Sequence, residues 1–89
     1  MGELSHLPNI GKELEQQLCE VGIETAAQLR EVGSEQAWLR ILARDPSACL
    51  HRLRALEGAV RGIPKTALPK EEKERLKDFF NEIKKGKSD

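Results

Sequence analysis

Leucines, valines and isoleucines recur along this chain at helical spacing rather than scattering. Over residues 12–21, Leu14, Leu18 and Val21 fall at i, i+4 and i+7, one stripe of an amphipathic helix, and Gly22 follows as a C-cap glycine. Thr25 with Gln28 three residues on has the form of a capping box, which predicts a short helix through Val32 that ends at Gly33 and turns Leu29 and Val32 inward. Ser34 is placed to cap a third helix, in which Trp38, Ile41 and Leu42 repeat the one-sided pattern as far as Arg44. Asp45 and Pro46 read as a further start, a capping carboxylate followed by proline at the first helical position. They predict a helix over residues 46–62 with Cys49, Leu53, Leu56 and Val60 along its core stripe. After a connector at residues 63–68, Pro69 opens a last helix with acidic Glu71 and Glu72 in its first turn and basic Lys84 and Lys85 in its last, matching the helix dipole. Leu76, Phe79, Phe80 and Ile83 form its buried face.

The ends and the first turn are less regular. Residues 1–6 read as a lead-in, Pro8 restricts Leu7 to extended geometry, and Pro8, Asn9, Ile10 and Gly11 form a tight turn. Residues 86–89 are expected to fray. The pattern predicts an all-α fold, a single domain over residues 1–89 built as a compact bundle of about five short helices.

A chain of 89 residues buries only about 60 to 65% of the surface its unfolded form exposes, which leaves little apolar material to line a deep cleft. The net charge is zero, yet residues 1–45 hold eight acidic and four basic side chains and residues 46–89 hold seven and eleven. That asymmetry directs partner contacts to the second half, although a polyanion partner ordinarily calls for a more basic domain. Cys19 and Cys49, with His6 and His51, do not cluster at zinc-ligand spacing; both cysteines are expected to be buried free thiols, with no metal or cofactor. No apolar run approaches the length of a membrane span and no signal-peptide core opens the chain, so the cytoplasm is the default location. Nothing groups a nucleophile with a base and an orienting carboxylate, and no Walker-type phosphate loop is present, so neither an enzyme nor a small-molecule substrate is expected.

Two clusters are candidate sites. His51, Arg54, Gly58 and Arg61 follow at intervals of three, four and three opposite the core stripe, a basic strip with a glycine notch that Arg44 and Lys65 would extend. It is either a solvated face or a docking face for a partner. Glycine inside a helix costs about 1 kcal/mol relative to alanine and often marks close approach of another backbone, here from a partner or from the Pro69 helix. Glu57 is placed to pair with Arg61 at i+4, and Trp38 is expected in the core.

The second cluster is Leu7-Pro8-Asn9-Ile10-Gly11-Lys12, followed by Leu14, Leu18 and Gly22-Ile23-Glu24-Thr25. It resembles the hairpin and second helix of a helix-hairpin-helix or SAM-like element. The resemblance implies a phosphate-contacting turn at Asn9, Ile10, Gly11 and Lys12, with main-chain N–H donors at a helix N-terminus and the Lys12 cation beside them. Related folds keep the same hairpin as a packing device with the residue at Ile10 in the core. Asn9 stands where the motif has a second glycine, Glu15 where it has a small residue, and Glu13 and Glu15 add negative charge next to the turn.

A wider resemblance runs through Leu7 to Gly11, Gly22-Ile23-Glu24-Thr25, Leu29-Arg30, Leu53-Arg54-Ala55-Leu56-Glu57-Gly58-Ala59-Val60-Arg61-Gly62 and Leu68-Pro69. In order and spacing these segments are similar to the C-terminal domain of the TfoX (Sxy) competence-regulator family. The resemblance implies a non-catalytic regulator of natural transformation that acts on transcription of DNA-uptake genes alongside the cyclic-AMP receptor protein. A protein partner, with transcription machinery among the candidates, is the leading expectation and direct DNA binding the alternative. Lys65 replaces an aromatic of the family, and a stand-alone relative and an excised domain both fit these residues.

Overall fold

A capping box and glycines at positive φ set several helix boundaries in this chain. The computed structural model describes residues 4–87 and contains α1 (Lys12–Glu20), α2 (Ala26–Val32), α3 (Ser34–Arg44), α4 (Leu50–Arg61) and α5 (Lys70–Lys87), with single 3-10 turns at Leu4–His6 and Lys65–Ala67. Among the described residues there is no strand. The lead-in at residues 1–3 and the end at residues 88–89 lie outside the described residues; at 86 and 87, where fraying was expected, the backbone is still helical.

The predicted capping box forms: Gln28 N–H donates to the Thr25 hydroxyl at 3.1 Å and Thr25 N–H to the Gln28 carboxamide at 3.1 Å. Gly22 and Gly62 take positive φ and let the chain close α1 and α4 with paired main-chain bonds, Ile23 N–H to Leu18 O at 2.9 Å and Ile63 N–H to Gly58 O at 2.9 Å.

Two predicted starts are corrected. Gly33, not Ser34, is the N-cap of α3; Ser34 is its first helical residue, and its hydroxyl is turned inward to Glu57 at 2.5 Å. Asp45 and Pro46 open no helix. The Asp45 carboxylate instead accepts from Ser47 N–H at 3.0 Å and the Ser47 hydroxyl at 2.5 Å, and Ala48 N–H donates to Asp45 O at 3.0 Å, which makes a turn of residues 45–48. Gln17 and Arg52 bind its other oxygen at 3.1 and 3.2 Å, which anchors the turn, and the chain does not continue from it into a helix. These Ser47 donors, assisted by Arg52, hold the Asp45 carboxyl below its ordinary value. α4 starts only at Leu50, where the Cys49 carbonyl accepts from Leu53 N–H at 3.2 Å and from the Trp38 indole N–H at 3.2 Å. Cys49 is therefore exposed at the N-cap rather than buried, and Cys19 is half-buried.

Trp38 is fully buried at the centre of one continuous core, with Phe79 edge-on at 6.1 Å and Phe80 tilted at 5.6 Å. α4 packs against α2, α3, α5 and the 65–67 turn. Enclosed on so many sides, it buries Leu53, Ala55, Leu56, Glu57, Gly58 and Ala59, which is most of its circumference instead of one stripe.

Of the glycines at 11, 22, 33, 58 and 62, Gly58 alone is closely approached by other parts of the chain. A Cβ there would stand 2.5 Å from Asn9 Nδ2, 2.7 Å from Ile63 O and 3.2 Å from Lys65 N. The neighbour is thus internal, but it is the Asn9 turn and the chain after α4, not the Pro69 helix. Asn9, at φ +70°, donates to Ile63 O at 3.0 Å and to Ala55 O at 3.4 Å and accepts from Lys65 N–H at 3.0 Å. Gly58→Ala is expected to destabilise the protein by about 1 to 3 kcal/mol, overpacking outweighing the gain in helix propensity. Gly11→Ala, whose Cβ meets nothing within 4 Å, is the control and should leave the melting temperature nearly unchanged in thermal denaturation.

Candidate functional site

The hairpin turn divides its four candidate residues between core and solvent. Ile10 is only 5% exposed and belongs to the core, and the Asn9 carboxamide is committed to α4 and the chain after it. Gly11 and Lys12 face outward at the start of α1, where no side chain caps the free N–H groups. Glu13, with its side chain 83% exposed, follows directly and approaches Arg52 at 4.0 Å. A phosphate at this turn would meet one lysine and an adjoining carboxylate.

The strip of His51, Arg54, Gly58 and Arg61 does not survive as one exposed face. Gly58 is buried beneath Asn9. Arg61 bonds Glu57 at 2.5 Å and Glu72 at 2.9 Å, so its charge is neutralised within the fold. Arg44, considered as an extension, lies 3.9 Å from Glu20. His51 and Arg54 remain together, and the crossing of α4 with α5 adds residues to them. His51, Arg54, Lys65, Thr66 and Lys73 line a groove of about 270 Å³ with no acidic side chain in its wall. Arg54 Nη2 donates to Lys73 O at 3.3 Å, and Lys73 Nζ donates to Thr66 O at 3.4 Å. Lys73 was missed in the sequence because no spacing within one helix relates it to Arg54. Among the described residues no three His, Cys, Asp or Glu side chains converge as a metal site, and no helix is long and apolar enough to cross a membrane.

Residues 1–80 match the TfoX C-terminal domain. The chain belongs to this family. It is 35% identical over 80 residues to Protein Sxy of Escherichia coli (strain K12), covering 90% of this chain and 38% of that protein. It is 34% identical over 83 residues to the DNA transformation protein TfoX of Haemophilus influenzae (strain Rd), covering 93% of this chain and again 38% of the relative. The chain therefore spans well under half the length of both. Two crystal structures from Listeria monocytogenes share the fold. One, of an uncharacterized protein in a triclinic form, has a TM-score of 0.90 at 49% identity over 91% of this chain and 92% of that one. The other, of a protein of unknown function in a tetragonal form, has 0.88 at 50% identity over 90% and 98%.

In this TfoX C-terminal domain the run from Ala55 to Gly62 that carries the resemblance is buried from Ala55 to Ala59. It supplies the Gly58 approach, the Gly62 helix end and Glu57, a carboxylate only 8% exposed. Glu57 accepts from the Ser34 hydroxyl at 2.5 Å and from Arg61 Nε at 2.5 Å, with Arg75 at 3.6 Å. Arg75 also pairs with Glu35 and Glu72 at 2.8 Å each, so one network ties α3, α4 and α5 together. Burial pushes the Glu57 carboxyl up, but the Ser34 and Arg61 hydrogen bonds and the charges of Arg61 and Arg75 outweigh it and hold it below its ordinary value.

A carboxyl lowered on folding contributes stability that is complete above its unfolded value, near 4.5, and is lost as pH falls through the folded value. Chemical denaturation of the native protein and Glu57→Gln at neutral pH and near pH 3 should show the native protein's advantage shrinking in acid. An advantage unchanged in acid would mean that the Glu57 charge does not stabilise the fold.

Proposed function

We propose that this chain is a non-catalytic regulatory domain of the TfoX type that acts in the cytoplasm, in control of DNA-uptake genes, by contacting a protein partner. The observation that carries the protein-contact reading is the hairpin. Its Ile10 is in the core and its Asn9 is bound to α4 and the chain after it, so the turn resembling a phosphate site works as a packing device. The name of one relative, the DNA transformation protein TfoX, supports the link to DNA transformation.

Direct DNA binding is the second reading, favoured by the exposed Gly11 and Lys12 at the uncapped start of α1. Titration with duplex and single-stranded DNA separates the two. Contact with about two to four phosphates requires log K to fall against log salt with a slope of roughly −2 to −4, and Lys12→Glu to remove most of the affinity. Protein contact predicts no saturable DNA binding at moderate salt. The regulatory reading has its own test in the cell. Exchanging the matching segment of Haemophilus influenzae TfoX for residues 1–80 of this chain should retain transformation, and its complete loss from a stably expressed chimera would refute the assignment.

A further inference from the structure

Four arginines of this fold meet carboxylates: Arg44 with Glu20, Arg52 with Asp45, and Arg61 and Arg75 with Glu57 and Glu72. Arg54 does not. It is half-buried at the base of the groove between α4, the 65–67 turn and α5, and among the described residues its guanidinium has a single acceptor, the main-chain carbonyl of Lys73. Its Nε is buried and has no partner among the described residues. Withdrawing a cation from water without a counter-charge is unfavourable, and a carboxylate arriving from outside would offset that loss.

The surroundings are built in the same sense. Lys65 and Lys73 flank Arg54, His51 and the exposed Thr66 complete the wall, and none of Arg54, Lys65 and Lys73 has a carboxylate within ion-pair distance among the described residues. Lys70, Lys73 and Lys77 lie at intervals of three and four on α5, so they share one stripe that carries positive charge beyond both ends of Lys73. The Lys65 backbone is fixed by Asn9, which places this wall of the groove before any ligand arrives.

Resting on the protein-contact reading above, we infer that this groove binds a carboxylate-rich segment of the protein partner, with Arg54 at its centre and Lys65 and Lys73 as flanking cations. The charge pattern favours a short acidic segment over a nucleic acid. Glu71, Glu74, Asp78 and Glu82, at intervals of three, four and four, form an acidic stripe on another side of α5 that would repel a long polyanion crossing the helix. Trp38 is buried and Phe79 and Phe80 pack against it, so no exposed aromatic platform is available for bases.

The test uses the whole chain with two labelled probes, a short peptide of alternating glutamate and serine and a short DNA duplex, read by fluorescence anisotropy and backbone-amide NMR. The peptide should bind saturably and perturb residues 51, 54, 65, 66 and 73. Its affinity should fall at least about tenfold in Arg54→Gln with Lys73→Gln. Lys65→Gln with Lys73→Gln leaves Arg54 and its packing in place, and it should weaken binding with an unchanged melting temperature. Absence of saturation at millimolar peptide, perturbation on another face, or native affinity in both double variants would overturn the proposal. So would a duplex that binds these residues more tightly than the peptide. Retained transformation in the segment exchange with no peptide binding would sink the groove alone, whereas peptide binding with transformation lost would sink the regulatory reading.

Discussion

The side-chain amide of Asn9 lies over the bare Cα of Gly58, and from that position it joins the hairpin to α4 and to the chain that follows it, some fifty residues away in sequence. Two of its hydrogen bonds reach the carbonyls of Ala55 and Ile63, and the third takes the N–H of Lys65. A side chain at position 58 would occupy the same space. The contact orients the hairpin so that Ile10 enters the core, and it fixes where the chain goes after α4. The 65–67 turn takes its place from this contact, and one wall of the basic groove is made by that turn.

Charge is distributed around this frame in two different ways. Towards the end of α4, Glu57 draws Ser34, Arg61 and Arg75 into a network that closes the junction of α3, α4 and α5. There the cations have internal counter-charges and act as structure. One turn earlier, Arg54 meets only a backbone carbonyl among the described residues, with Lys65 and Lys73 beside it. A helix that carries both kinds of arginine shows why position in the sequence alone does not identify a binding residue.

The hairpin illustrates a related point about motifs. A glycine-bearing turn before a helix exposes N–H donors and suits an anion, yet the same turn with an apolar residue directed inward is a wedge between helices. The neighbours of the turn decide between these uses. Here Asn9 and Ile10 are engaged inside and Glu13 stands outside, so the local shape persists while its surroundings favour packing.

Residues near one another in the chain determined the parts that were legible in advance. The stripe of Leu14 and Leu18, the Thr25 to Gln28 capping box, the glycine after α1 and the polar order of α5 act over at most a few turns, so spacing alone revealed them. The Glu57 to Arg61 pair and the buried Trp38 followed from the same rules. Tertiary structure decided what spacing leaves open. Asp45 suits either a helix cap or a turn, and Gln17, 28 residues away, binds the carboxylate in its turn position. Cys49 left the core because α4 began later, Gly58 acquired Asn9 as its neighbour, and Arg61 was neutralised from α5 while Arg54 was joined by Lys73. Periodicity records which side of a helix is apolar, but which charges meet across helices depends on how those helices cross, and that is a property of the packed core as a whole.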